Sequence, residues 1–166
     1  HAQDASNRAA SKTARLEEAS AGLICLTGGP EGPVDKALLD SQNERALERL
    51  KSLEKVFGNR LYVELQRHGR ESEGRVGPQL VDLAYKRGLP IVATNECYFA
   101  TRNDFEAHDA LLCIAEGRYV VEDDRRRATA EHYFKSPDEM AVLFADLPEA
   151  LANTVEIAVR CAFRTK

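Results

Sequence analysis

The sequence predicts an α/β fold built on a parallel sheet. Three observations carry this reading: short apolar runs closed by glycine-rich turns, helical periodicity between those runs, and a largely helical final third. A strand–helix–strand–helix–strand order implies right-handed crossovers, and hence parallel strands.

The elements follow in order. Gly22 to Thr27 is a continuous apolar run closed by Gly28, Gly29 and Pro30, the pattern of a buried strand and its turn. Pro33 opens a helical stretch in which Ala46, Leu50, Leu53 and Phe57 recur at helical spacing, and Gly58 stops it. A strand over 60–66 turns Leu61, Val63 and Leu65 to one face and Tyr62, Glu64 and Gln66 to the other. Residues 71–77 are polar and read as a loop. The next helix is therefore expected to start at Pro78, with Leu80, Leu83 and Ala84 inward and Gly88 as its terminator. Residues 90–95 are apolar on both faces, as a central parallel strand should be.

In the last third, Asn103 or Asp104 is expected to cap a helix reaching about Glu116, and an irregular stretch runs from Gly117 to Phe134. Ser136-Pro-Asp-Glu139 is a capping box with proline at the first helical position. Asp146-Leu-Pro-Glu149 starts a final helix whose Leu151, Thr154, Val155 and Ala158 form one stripe. Three strands are too few to close a barrel and leave unpaired edges, so the sheet is expected to belong to something larger.

The 166 residues supply one ordinary domain, with 43% hydrophobic and 30% charged residues. A formal net charge of −4 argues against tight nucleic-acid binding by this segment alone. Arg125, Arg126 and Arg127 follow Asp123 and Asp124 directly, and read as a solvated loop. Cys25, Cys97, Cys113 and Cys161 form no C-x-x-C pair. Cys25 and Cys113 read as small buried thiols of a reducing compartment. No run approaches the roughly 20 apolar residues of a membrane span. Residues 1–15 are polar and aperiodic and read as a linker at the start of a fragment, residues 16–134 as a partial α/β domain, and residues 135–166 as C-terminal helices.

Four residues could carry chemistry at the carboxyl ends of the strands: Glu64, His68, Glu96 and His108. Buried, Glu64 needs an arginine, a histidine or a metal ion beside it. Glu64 and His68 share a parity, but extended chain would hold them roughly 13 Å apart. They converge only if the chain curls after Gln66, which Gly69 permits. His108 shares a helical face with Leu111, Leu112 and Ala115 and points inward; it reads either as a metal ligand or as a satisfied core residue. Gly28-Gly29 lacks the remaining spacing of a phosphate-binding loop. No Ser-His-Asp or Cys-His arrangement stands out.

Five collinear segments resemble the PHP (polymerase and histidinol phosphatase) domain of bacterial DNA polymerase III alpha subunits. They are Gly22–Gly29, Leu61–Gly69, Gly88–Asn95, Ala107–Ile114 and Phe144–Ala158, spread over about residues 16–164. The resemblance implies part of a distorted α/β barrel, and, in complete members, ions that hydrolyse phosphoesters. Glu64 and His68 match the family's Glu and His. Where metal-binding members read Thr-Asn-Asp-x-His, this chain reads Thr94-Asn-Glu-Cys-Tyr98, with tyrosine at the histidine position. Losing an imidazole donor weakens an ion cluster sharply. The resemblance therefore implies a vestigial site with no cofactor in this fragment, in a cytoplasmic replicative DNA-directed DNA polymerase, a nucleotidyltransferase. The implied role is a scaffold that docks the proofreading exonuclease subunit and joins the remainder of the polymerase chain, with DNA bound through the full protein. The alternative is a phosphoesterase or 3′–5′ exonuclease using zinc, manganese or magnesium at Glu64, His68, Glu96 and His108.

Overall fold

A computed structural model of the chain describes residues 2–3, 9–10 and 13–163. The expected linker over 1–15 lies mostly outside the described residues. Within it, β1 (Ala2–Gln3) pairs antiparallel with β2 (Ala9–Ala10), and α1 (Thr13–Ala19) begins.

The centre of the molecule is a three-stranded parallel sheet of β3 (Cys25–Leu26), β4 (Leu61–Gln66) and β5 (Ile91–Thr94), in the order β3-β4-β5. Val63 stands opposite Ile91, and Cys25 opposite Leu61. The mixed α/β class and the parallel strands are as the sequence predicts. The first strand is not. It shrinks to two residues at the sheet edge, leaving Leu23 48% and Leu26 36% exposed and Cys25 only half-buried. The reason is local: Arg60 donates to the carbonyls of Ser20 and Leu23, so the chain before β3 is held by a guanidinium rather than by a ladder.

The stretch from Pro33 is two helices, α2 (Pro33–Leu39) and α3 (Asn43–Phe57), broken where Ser41 takes φ 58°. The second correction concerns residues 71–77, which are helical: α4 runs Glu71–Arg87 with Pro78 in its interior. The Glu73 carboxylate accepts from the backbone N–H groups of His68 and Arg70, at 2.6 and 3.1 Å, and so nucleates the helix well before the proline. Pro78 removes one ladder bond, and the residue four positions back, Gly74, has open space around it. Gly88 ends α4 with φ 63°, as expected.

α5 (Phe105–Glu116) follows a short 3-10 turn; Asp104 is its N-cap, one of the two expected residues, and Thr101 caps the turn before it. The Thr101 N–H and hydroxyl both donate to Asp104 at 2.8 Å. α6 (Pro137–Leu143) starts with the expected capping box, Glu139 N–H donating to Ser136 Oγ at 3.2 Å. α7 (Pro148–Arg160) lies along β5. Its buried edge is not the predicted stripe, since Ala150 is buried while Val155 is 63% exposed. A polar residue sets the rotation: Asn153 Nδ2 donates to the Ile91 carbonyl at 2.8 Å.

The core forms where Leu61, Val63 and Leu65 meet Ile91 and Ala93, under Leu50 of α3, Leu80 of α4 and the C-terminal Phe144 and Leu147. Burying side chains of this size supplies the main drive to fold, roughly 1.5–3 kcal/mol each. Among the described residues no helix is long and apolar enough to cross a membrane.

Candidate functional site

β4 and β5 deliver their carboxyl ends side by side, with Glu64 opposite Val92 and Gln66 opposite Thr94. Glu64 is 8% exposed, and the charged partner expected for it is replaced by neutral donors. Thr94 Oγ1 donates to its carboxylate at 2.6 Å, the Gly28 amide at 3.0 Å and Gln66 Nε2 at 3.3 Å. Thr27 Oγ1 accepts from the Glu64 N–H at 2.9 Å. The Gly28-Gly29 turn thus serves a carboxylate of its own sheet, and both glycines have positive φ. Gly29 also admits the Gln66 carboxamide, which would come within 3.0 Å of an added Cβ.

Gly69, at φ 74°, supplies the curl after Gln66 and turns His68 inward, 1% exposed. Its Nδ1 meets Glu73 at 2.9 Å. Burial pushes the Glu73 carboxyl up, but the hydrogen bonds from His68 and Arg70 outweigh this and hold it below the usual range. His68 then opens a column of rings. His132 stacks on it at 3.9 Å, Tyr98 on His132 at 5.2 Å and His108 on Tyr98 at 5.5 Å, with interplanar angles of 14°, 7° and 6°. A parallel bridge between Phe99 and Tyr133 sets the register, with the Tyr98 N–H donating to the His132 carbonyl at 2.8 Å.

Two rings of the column are held neutral at pH 7. Burial, then the nearby His68 and Arg70, pushes the His132 imidazole down to about 4, so it is neutral at pH 7. Burial, reinforced by its hydrogen bond to Glu96, pushes the Tyr98 phenol up to about 12. His68 Nε2 and His108 Nδ1 are buried with no hydrogen-bond partner among the described residues. A cavity of about 480 Å³ opens beside the rings, lined by His68, Glu96, Tyr98, His108 and His132 together with arginines.

Arg126 and Arg127 are exposed as expected, but Arg125 corrects the expectation. Arg125 is not solvated; its side chain is 1% exposed and bonds both Asp109 oxygens at 2.6 and 2.7 Å. The α5 face also differs: Asp109 and Cys113 are buried and Leu111 is 63% exposed, so His108 faces the cavity beside Leu112 rather than a sheet. Of the four predicted residues, His68, Glu96 and His108 line one cavity and Glu64 does not. His132 was missed. It sits in the aperiodic stretch 117–134, and its one signal was being among only four histidines in the chain.

Several of the candidate donors are already engaged. Glu64 is engaged by three donors, Glu96 is bonded to the Tyr98 hydroxyl, and the Tyr98 ring lies between the His108 and His132 imidazoles. Among the described residues no three His, Cys, Asp or Glu side chains gather as an ion-holding group.

The PHP domain family matches residues 1–68. DNA polymerase III subunit alpha of Caulobacter vibrioides is 51% identical over 150 residues, 90% of this chain and 13% of that protein. The same subunit of Pseudomonas aeruginosa is 47% identical over 148 residues, covering 88% and 12%. That of Escherichia coli K12 is 43% identical over 148 residues, covering 88% and 13%. The chain is similar to the PHP domain over residues 1–68 and to a stretch of DNA polymerase III alpha subunits over most of its length. It spans about 13% of the length of the curated relatives it matches. The relatives' similarity continues well past residue 68.

Proposed function

We propose that this PHP segment belongs to a replicative, cytoplasmic DNA polymerase and acts there as a catalytically silent part of a distorted barrel, a scaffold that docks the proofreading exonuclease subunit. The observation that carries the silent reading is Tyr98 stacked between two histidines, its hydroxyl bonded to Glu96. A phenol with its pKa near 12 stays protonated and is a poor ligand, where an imidazole would offer a neutral nitrogen. The nearby arginines suit a structural role too, Arg125 locking Asp109 and Arg126 meeting Glu116 at 3.3 Å. Polymerisation of DNA is the activity of the whole protein, and these residues would contribute architecture to it.

The test uses the complete polymerase chain. Elemental analysis is expected to find no stoichiometric zinc, manganese or iron in the PHP region, and phosphodiesterase assays with Mn²⁺ to find no turnover that Glu64→Ala removes. Metal-dependent turnover abolished by Glu64→Ala overturns the silent reading. Pull-down by the exonuclease subunit tests the docking role, and failure to bind the complete chain removes it.

A second reading, a metal-dependent phosphoesterase or 3′–5′ exonuclease, is favoured by one observation. His68 Nε2 and His108 Nδ1 are buried and unpartnered among the described residues, and both side chains line the cavity. His68 Nδ1 is already oriented by Glu73, as the outer nitrogen of a metal-binding histidine usually is. The assays above separate the two readings.

A further inference from the structure

We infer that one ordered internal water is bound between Asp35 of α2 and Gln66 at the end of β4, tying the helix to the strand that carries Glu64. Two acceptors create the site. Asp35 Oδ1 and Gln66 Oε1 are both buried, and neither has a hydrogen-bond partner among the described residues. Both residues line one small cavity, closed otherwise by Pro30, Leu39, Leu65 and Val76. Leaving two oxygens unpaired in such surroundings is unfavourable.

The orientation of Gln66 is fixed independently. Its Nε2 donates to Glu64 Oε1 at 3.3 Å, so turning the amide round would set two acceptors against each other. The Gln66 oxygen is therefore the amide atom left without a donor, and Gly29 leaves room for the carboxamide. Neither Asp35 Oδ1 nor Gln66 Oε1 is met by a donor of the wall. Ser72 brings one hydroxyl to its wall, and the Glu73 carboxylate is already engaged by His68 and Arg70.

Size and chemistry select the ligand. The cavity holds about 20 Å³, room for one water molecule, which needs roughly 10–15 Å³. With Asp35 ionised, a water offers two hydrogens to two acceptors; with Asp35 protonated, the same water accepts from the carboxyl and donates to Gln66. A hard cation would need about six oxygens, and only two buried unpartnered ones belong to the residues lining this cavity. The water extends a chain from α2 through the Gln66 amide to the Glu64 carboxylate, and so helps to hold Glu64 against Gly28 and Thr94. This site is independent of the docking role proposed above.

A high-resolution crystal structure of the complete chain, with a parallel thallium(I) soak, tests the assignment. The expected result is a single peak within hydrogen-bond distance of both oxygens and no anomalous thallium signal there. In Asp35→Leu the peak is expected to vanish, and in Asp35→Asn to remain. An empty cavity, direct contact between the Asp35 carboxyl and the Gln66 amide, an anomalous peak, or a water that persists in Asp35→Leu each overturns it.

Discussion

Arg125 closes both prongs of its guanidinium on Asp109, at 2.6 and 2.7 Å, with the two side chains 1% and 7% exposed. The contact is what orders the stretch after α5, since Arg125 also donates to the carbonyls of Val120 and Glu122. A buried, two-pronged pair loses far more when one partner is removed than an exposed pair does. Arg125→Ala is therefore expected to lower the thermal midpoint much more than Lys86→Ala, which breaks the exposed pair with Asp82. Equal effects, measured by differential scanning calorimetry, would show the Arg125 contact to be dispensable. Arg125 also holds the Asp109 carboxyl below the usual range, so its stabilising effect is present above pH 4 and lost on acidification through the depressed value.

Two buried groups should titrate in opposition. Burial, followed by repulsion from Glu64, lifts the Asp35 carboxyl to about 7. The folded state then takes up a proton between pH 7 and 4 that the unfolded chain does not, so Asp35 makes stability rise on acidification. His132 falls to about 4, so the unfolded chain protonates near pH 6.5 while the folded one does not, and stability falls over the same interval. Each slope is at most about 1.4 kcal/mol per pH unit. Wild-type stability is expected to be nearly flat from pH 6.5 to 4.5. Asp35→Asn should unmask a loss on acidification and His132→Gln a gain. Denaturant melts across that range will show whether the two slopes carry these signs.

Proton NMR gives a direct view of the ring column. The His132 ring signals are expected to titrate with a midpoint near 4 rather than 6.5. Because Arg70 adds to the depression, Arg70→Ala should move the midpoint up without restoring the free value, since burial remains the larger cause. A midpoint at 6.5 in the wild type would mean that the stack on His68 opens in solution.

Tyr98→His restores an imidazole next to His108 and His132. If the missing nitrogen is what keeps the pocket from holding ions, this variant should bind Zn²⁺ or Mn²⁺ at least tenfold more tightly than the wild type in isothermal titration calorimetry. No gain would place the deficiency in the engaged Glu64 carboxylate instead.

Phe144 is 0% exposed in the core, and the Arg67 guanidinium sits 4.6 Å from its ring centre. Phe144→Ala is expected to cost about 3–5 kcal/mol of stability. Removing the cation while keeping the ring, as Arg67→Met, should cost less, with chemical denaturation as the measurement.

Strand and helix placement was legible where apolar period and glycine stops agreed, as in β4, β5 and α3. It failed where polar side chains decide the structure. Glu73 starts a helix that composition reads as a loop, Asn153 rotates α7 against its apolar stripe, and Arg60 shortens β3. The site divides in the same way. His68, Glu96 and His108 could be read from their positions after strands or on a helix face. His132 could not, because no local rule brings residue 132 onto His68; long-range contacts do, the bridge between Phe99 and Tyr133 and the Thr129 hydroxyl, which donates to the His68 carbonyl at 2.7 Å.

The embrace of β5 by α7 bears on how the molecule can be divided. Asn153 reaches the Ile91 carbonyl, and Arg160 donates to the Tyr62 hydroxyl at 2.8 Å and to the Asn59 carbonyl at 3.0 Å. The C-terminal helix is thus a cover fastened at the amino ends of the strands it lies along. Cutting the gene anywhere between residues 134 and 148 would bare an apolar sheet face to water, and the product should clump instead of staying dissolved.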